Sequence, residues 1–422
     1  MKILMFSWEY PPRNVGGLAR HVYYLARALV RQGVAIHVIT VGEDDLPPYR
    51  KEAGVEVHRV RPYHLPAPDF RTWVLHLNLA MLEYAGRLLR AEKVDAVHAH
   101  DWLVAYAGRA VKHGWRLPLL ATIHATERGR NQGLYTDEQR YISDVEWWLT
   151  YEAWRVIVCS HYMKGELEGF FQVPADKIRV IPNGVEVEEF RYRWQDLEEV
   201  RRRYAPYGEK IVFFVGRLVQ EKGVHLLIEA APRILAVYPG TRFLIAGQGP
   251  REEYLKHLTF SRGLGDRFLF LGYVEDRVRD LLYRVADVAV FPSLYEPFGI
   301  VALEAMALGT PVVVSDTGGF AEIVNHGVNG MKFYNGSAQS LADNVLTVLG
   351  SAELRERLRA EGLKTVREKY SWDAVARKTA GVYREVLREF SRVSWEEELP
   401  PLRRKRPALT ALFMAAGRYG WR

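Results

Sequence analysis

Short apolar runs recur along the first half of the chain, each closed by Gly, Pro or polar residues and separated from the next by a longer segment of helical periodicity. Positions 2–6, 35–41, 96–100, 119–124 and 156–160 are mainly apolar or β-branched and read as strands covered on both faces. Positions 18–31, 72–90 and 141–154 read as amphipathic helices. Such alternation predicts βαβ units and a parallel sheet. The same grammar restarts at Lys210, with strands over 211–215, 242–246, 267–271, 287–291 and 311–315. Helices are predicted after Gly223 and at 251–261, 300–308 and 341–349. Between the halves, Pro182-Asn183-Gly184 signals a turn, and a charged, weakly periodic stretch follows it. The predicted organisation is an α/β domain over 1–185, a linker over 186–209, a second α/β domain over 210–370, a helix over 371–390 and a basic, apolar tail over 391–422. Tandem α/β domains of this kind hold ligands between them, at the carboxyl ends of the strands.

Composition narrows the picture. A chain of 422 residues exceeds one ordinary core and suits two domains of roughly 200 residues. Apolar (48%) and charged (26%) fractions are globular values, which excludes a disordered or fibrous chain. Lys and Arg outnumber Asp and Glu by 58 to 51, and the resulting +7 suits an anionic ligand. That excess is spread along both halves, unlike the stripe of a nucleic-acid binder. The single cysteine, Cys159, excludes an internal disulfide framework and fits a reducing compartment. No apolar run approaches the roughly 18 residues of a membrane span. The apolar start stops at Trp8, Glu9 and two prolines, too short for a signal peptide. A soluble, cytoplasmic protein is expected.

Three local patterns carry chemistry. Gly16-Gly17 precedes a helix shortly after the first strand, where glycine admits a ligand close to the backbone and leaves helix N–H groups free for an anion. The G-x-G-x-x-G of dinucleotide enzymes is missing, which disfavours a dehydrogenase. The segment from Ser293 to Glu304 follows an apolar strand and opens a helix. Glu296 falls on the loop and Glu304 a turn into the helix, while the free N–H groups around Phe298, Gly299 and Ile300 suit a diphosphate. Carboxylates beside an anion site suit hydroxyl groups, a sugar on one side and a ribose on the other; charge capping of the helix start is the simpler alternative for Glu304. Finally, Arg217 and Lys222 share the loop after the second domain's first strand and can converge on one phosphate pair.

Together these motifs resemble the GT-B retaining glycosyltransferases, specifically family 4 and its glycogen-synthase-like members. Glu296-x7-Glu304 carries the likeness, with Gly16-Gly17, Asn183-Gly184, Arg217, Lys222 and Gly318-Gly319 in the family's order. The openings Ser7-Trp8-Glu9-Tyr10-Pro11-Pro12, His98-Ala99-His100-Asp101-Trp102 and Thr122-Ile123-His124-Ala125-Thr126-Glu127 are most similar to a bacterial α-1,4-glucosyltransferase subgroup acting on glycogen or methylglucose-type polysaccharides. The resemblance implies two Rossmann-like domains facing a cleft, with 371–390 crossing back to the first. It implies that Arg217 and Lys222 neutralise the leaving diphosphate, Glu304 holds the ribose, Glu296 binds donor-sugar hydroxyls and His124 contacts the sugar's 6-hydroxyl. Gly17 would meet the distal phosphate, with Gly16, Asn183, Phe298, Gly299 and Ile300 completing the donor site. Asn14, Arg20, His100 and Asp101 would face the cleft and the acceptor. Retention is likewise implied by the family.

Asn14 stands where ADP-glucose enzymes of the group carry lysine, which leaves UDP-glucose open as donor. No Asp-x-Asp triplet occurs, so no metal cofactor is expected and the two cations take that charge-neutralising role. A zinc reading of His98, His100 and Asp101 lacks a further ligand. Trp147, Trp148 and Trp154 read first as packing residues, and Trp372 opens the crossover helix. The tail, with Arg403-Arg404-Lys405-Arg406, reads as solvated; a membrane-surface or subunit contact is its alternative. The expected partners are a nucleotide-sugar and a glucan. Sucrose- or trehalose-synthase-like transfer, mannosyl transfer to lipid or a small solute, and a non-catalytic nucleotide-sugar sensor are the competing functions.

Overall fold

The computed structural model describes residues 1–13, 16–43, 45–186 and 195–393. Asn14, most of the tail and positions 187–194 of the expected linker lie outside them. Among the described residues the first sheet comprises β1 (Lys2–Phe6), β2 (Ala35–Val41), β3 (Tyr49–Glu52), β4 (Val55–Val60), β5 (Ala96–His100), β6 (Leu119–Ile123), β7 (Arg155–Val158) and β8 (Ile178–Val180). Their order is β3-β4-β2-β1-β5-β6-β7-β8, parallel except for the antiparallel β3–β4 edge. The second sheet is β9 (Ile211–Val215), β10 (Arg242–Ala246), β11 (Phe268–Gly272), β12 (Val288–Phe291), β13 (Val312–Ser315) and β14 (Met331–Phe333). It runs β11-β10-β9-β12-β13-β14, all parallel, which is the doubly wound Rossmann order. The order reverses between β1 and β5 in one sheet and between β9 and β12 in the other, so each domain opens a crevice at those carboxyl ends.

The strands are legible because their residues are enclosed on both faces. Ile3 to Phe6, Leu119 to Leu120 and Val212 to Phe213 are fully buried beneath flanking helices. The hairpin β3–β4 departs from the sequence reading: its outer strand is charged and exposed, and its turn uses Ala53 and Gly54 with φ of 47° and 84°. The expected linker also contains a helix, Gln195–Tyr204. Arg201 donates to the Val285 carbonyl at 2.5 Å and pairs with Asp287 at 3.1 Å, fastening that helix to the second domain.

Chain crossings between the domains lie side by side, where Val185 N–H donates to the Tyr370 carbonyl at 2.8 Å. Beyond them, helix Trp372–Phe390 packs on helix Gly17–Arg31 of the first domain. Tyr383 Oη meets His98 Nδ1 at 2.8 Å, and Arg155 pairs with Glu385 and Glu389 at 3.1 and 2.5 Å. Trp372 is buried against Gly184, whose missing Cβ makes room for the indole. Among the described residues no helix is long and apolar enough to cross a membrane.

Candidate active site

In the second domain the loops after β9, β12 and β13 are stitched together at the crevice. Leu294 N–H donates to the Glu221 carbonyl at 2.8 Å, and Gly319 N–H to the Glu296 carbonyl at 2.8 Å. A Cβ at Gly223 would overlap the Pro292 carbonyl, and one at Gly318 the Glu296 carbonyl, so the two glycines permit this backbone-to-backbone packing. The result places Lys222 Nζ 2.7 Å from Glu296 Oε2, with Ser293 Oγ donating to the same oxygen at 3.0 Å. Arg217, about half exposed, stands 3.5 Å from Glu221. Gly299, at φ 104°, caps helix Ile300–Ala307. The N–H groups of Phe298, Gly299 and Ile300 have no backbone acceptor among the described residues, the condition for an anion site at a helix start.

The first domain supplies a buried histidine group. His100 Nδ1 lies 3.3 Å from His124 Nε2, and the His21 ring meets the His124 ring edge-on at 4.5 Å. His21 Nδ1 donates to Asn183 Oδ1 at 2.7 Å, which gives that predicted asparagine its place beside the histidines. Burial pushes the His124 imidazolium down to about 3 and those of His21 and His100 well below the ordinary range. All three rings are therefore neutral at pH 7. Asp101 takes φ 64° and accepts the His124 N–H at 2.7 Å; burial raises its carboxyl to about 7.

His21, His100 and His124 each offer a ligand atom within 4.8 Å of the others, and the Nε2 atoms of His21 and His100 are buried without a hydrogen-bond partner among the described residues. Neutral rings of this kind could hold a divalent ion. His98 does not join them, because Tyr383 and Thr122 occupy both its nitrogens.

Contacts across the cleft bring the two sets together. Thr126 N–H reaches Tyr295 Oη at 3.3 Å, linking the His124 loop to the Glu296 loop. Ser160 Oγ donates to the Pro297 carbonyl at 2.6 Å, and Glu322 accepts the N–H groups of His161 and Tyr162. Arg20 reaches over to pair with Glu304 and Asp276 rather than standing alone on its wall. Arg279, absent from the sequence reading, is buried between Asp280 (2.6 Å) and Asp276 (2.8 Å) and lies 3.8 Å from Glu304. Gly17 abuts Ile300 across the same gap. His21 and Arg279 sit on amphipathic helices as unremarkable polar residues, and the sequence reading named neither for the site.

Residues 15–189 match the Glycosyltransferase Family 4 domain and residues 196–365 the Glycosyl transferases group 1 domain. An uncharacterized glycosyltransferase of Methanocaldococcus jannaschii is 44% identical over 91% of this chain and 98% of its own. The glycogen synthase of Mycobacterium tuberculosis is 36% identical over 91% of this chain and 94% of its own. Among solved structures, the sucrose-phosphate synthase of Thermosynechococcus elongatus superposes with a TM-score of 0.79 at 25% identity, covering 92% of this chain and all of the other.

Proposed function

The chain belongs to the glycogen-synthase-like GT-B glycosyltransferases of family 4, and from that premise we propose that it is a retaining enzyme moving glucose from UDP- or ADP-glucose to an α-1,4-glucan. The observation that carries this reading is the Lys222–Glu296 pair, seated beside a helix start with open N–H groups and joined to the His124 loop through Tyr295. In the proposed reaction the anomeric bond breaks toward the diphosphate, so negative charge grows beside Lys222, Arg217 and the N–H groups of Phe298, Gly299 and Ile300. Positive charge grows on the sugar, where His124 is neutral and opposes nothing. Glu296 takes sugar hydroxyls and Glu304 the ribose. A departing phosphate oxygen accepts the acceptor's proton on the face it leaves, which retains configuration. No metal is needed in this scheme.

Likeness to a sucrose-phosphate synthase supports a second reading, transfer to a small sugar acceptor by the same machinery. The test is a donor screen with UDP-, ADP- and GDP-sugars, with and without glycogen or maltooligosaccharides, followed by NMR of the new anomeric bond. Glucose transfer with an α linkage is the expected outcome. Transfer only from GDP-mannose, or only to a monosaccharide, overturns the glucan assignment, and a β product overturns retention.

A further inference from the structure

Three imidazoles meet at the carboxyl ends of β5 and β6, and the proposed chemistry uses only His124. The two strands run parallel with His100 opposite Thr122, so His100 and His124, two residues beyond Thr122, fall on one face. His21, on helix Gly17–Arg31, closes over that face: its ring lies 5.4 Å from the His100 ring and 4.5 Å from the His124 ring. Trp372 holds it from outside, meeting the His21 ring edge-on at 5.6 Å.

The bond from His21 Nδ1 to Asn183 leaves Nε2 as an unshared lone pair on a residue only 4% exposed. A ring that donates one nitrogen's proton to an amide oxygen and keeps the other nitrogen bare has the tautomer and the fixed orientation of a metal ligand. His100 Nδ1 and His124 Nε2 are 3.3 Å apart. Two nitrogens about 2.0–2.1 Å from one tetrahedral zinc stand about 3.3 Å from each other, so this pair already has the spacing of two ligands. Among the described residues no carboxylate joins the group. An all-imidazole set suits zinc, copper or nickel and is poor for magnesium or calcium. His124 is partly exposed, which gives an ion a way in and leaves a fourth position for water.

We propose that His21, His100 and His124 form a transition-metal site, and that zinc held there inhibits the enzyme. Inhibition rests on the transferase reading: the ion engages the imidazole assigned to the donor sugar's 6-hydroxyl and sets a divalent charge beside the carbon on which positive charge grows. Binding does not rest on that reading. A trapped water would satisfy the same nitrogens, and a zinc titration tells the two apart. Equilibrium dialysis of the full chain against Zn²⁺ should find about one ion per chain at a roughly micromolar or lower Kd, with Mg²⁺ not retained. His21→Gln should weaken zinc binding at least about a hundredfold, beyond the loss that follows removal of a group merely bonded to a ligand. Co²⁺ added to the unmutated chain needs no variant to fold and should give the intense visible absorption of four-coordinate cobalt. Glucosyl transfer should fall with zinc at the same half-saturation, return with EDTA and hold in Mg²⁺, while the residual activity of His21→Gln ignores zinc at that concentration. No zinc retained at roughly millimolar concentration, an unchanged zinc affinity in folded His21→Gln, or the weak spectrum of six-coordinate cobalt overturns the site. Activation by zinc overturns inhibition. His21-dependent zinc binding that leaves transfer unaffected keeps the site and overturns the role given to His124; the same binding in a protein that transfers no sugar keeps the site and overturns the transferase reading.

Discussion

Replacing Lys222 by Met separates the chemistry of the site from its architecture. The pair it forms with Glu296 is 2.7 Å long, with side chains 22% and 8% exposed. Coulomb attraction at that distance is about 6 kcal/mol at an effective dielectric of about 20, much of it offset by desolvation and by solvent reaching the lysine. Removing the lysine strands a buried carboxylate that retains Ser293 as donor, at a cost of about 2–3 kcal/mol in stability. The transition state loses more specifically: a cation at a departing diphosphate is worth about 3–4 kcal/mol, or about 10²–10³ in kcat. Steady-state kinetics with the nucleotide-glucose donor, together with chemical denaturation, measure the two losses separately. Lys222→Met combined with Glu296→Gln removes the stranded charge, so stability should return while kcat stays low. A Lys222→Met enzyme within about threefold of wild-type kcat, or a double variant that recovers turnover, refutes the assignment of Lys222 to the leaving group.

Gly299→Ala should cost about 2–3 kcal/mol, because φ 104° is strained for alanine and its Cβ would overlap the Phe320 ring; an unchanged melting temperature contradicts this. Asp101, raised by burial to about 7 from an unfolded value near 4, keeps a proton in the native state that the unfolded chain has lost. Its contribution is therefore full below about pH 4 and is lost, to the extent of about 4 kcal/mol, as pH climbs through 7. Asp101→Asn removes that dependence, so denaturation midpoints of variant and wild type should converge near pH 4 and separate toward pH 8, the variant being the more stable; parallel curves would exclude a protonated Asp101. Dialysis against EDTA should leave transfer unchanged, whereas loss of activity restored by Zn²⁺ would make His21, His100 and His124 a metal centre that the reaction requires.

Legibility followed locality. β1, β2, β5 and β9 were readable because each is a short, mainly apolar run that is largely buried and bounded by loop residues. Hairpin β3–β4 was not, since Tyr49, Arg50 and Lys51 face solvent and their pairing depends on the Ala53-Gly54 turn, which carries no Asn-Gly or Asp-Gly signal. β8 and β14 span three residues each, too few for a period. Helix Gln195–Tyr204 looked like a linker because Arg201, Arg202 and Arg203 dominate its composition; Arg201 finds its acceptors 84 and 86 residues away. The site divides likewise. Arg217, Lys222, Glu296 and Glu304 lie on two short segments beside strand ends, where spacing alone exposes them. Arg20 meets Glu304 across 284 residues and His21 meets Asn183 across 162, and no sequence window holds either pair.

Those long-range contacts explain why the cleft is closed around its own side chains. Some use backbone groups, such as the Pro297 carbonyl and the N–H groups of His161 and Tyr162, and are satisfied within the closed arrangement whatever the cleft contains. Arg20 is different, because it pairs with Glu304, the carboxylate proposed for the ribose, and with Asp276 at the solvent edge. Glu304 is nearly buried and carries Arg279 at 3.8 Å as a second cation, so it stays compensated when Arg20 leaves. Arg20 likewise keeps Asp276. Hydroxyl groups arriving at Glu304 would thus exchange one contact for another without stranding a charge, avoiding the several kcal/mol that an unpaired buried ion costs. Because Ser160, Tyr295 and Glu322 supply other contacts between the domains, loss of the Arg20–Glu304 pair alone would leave the cleft walls joined while freeing Glu304 for its proposed ligand.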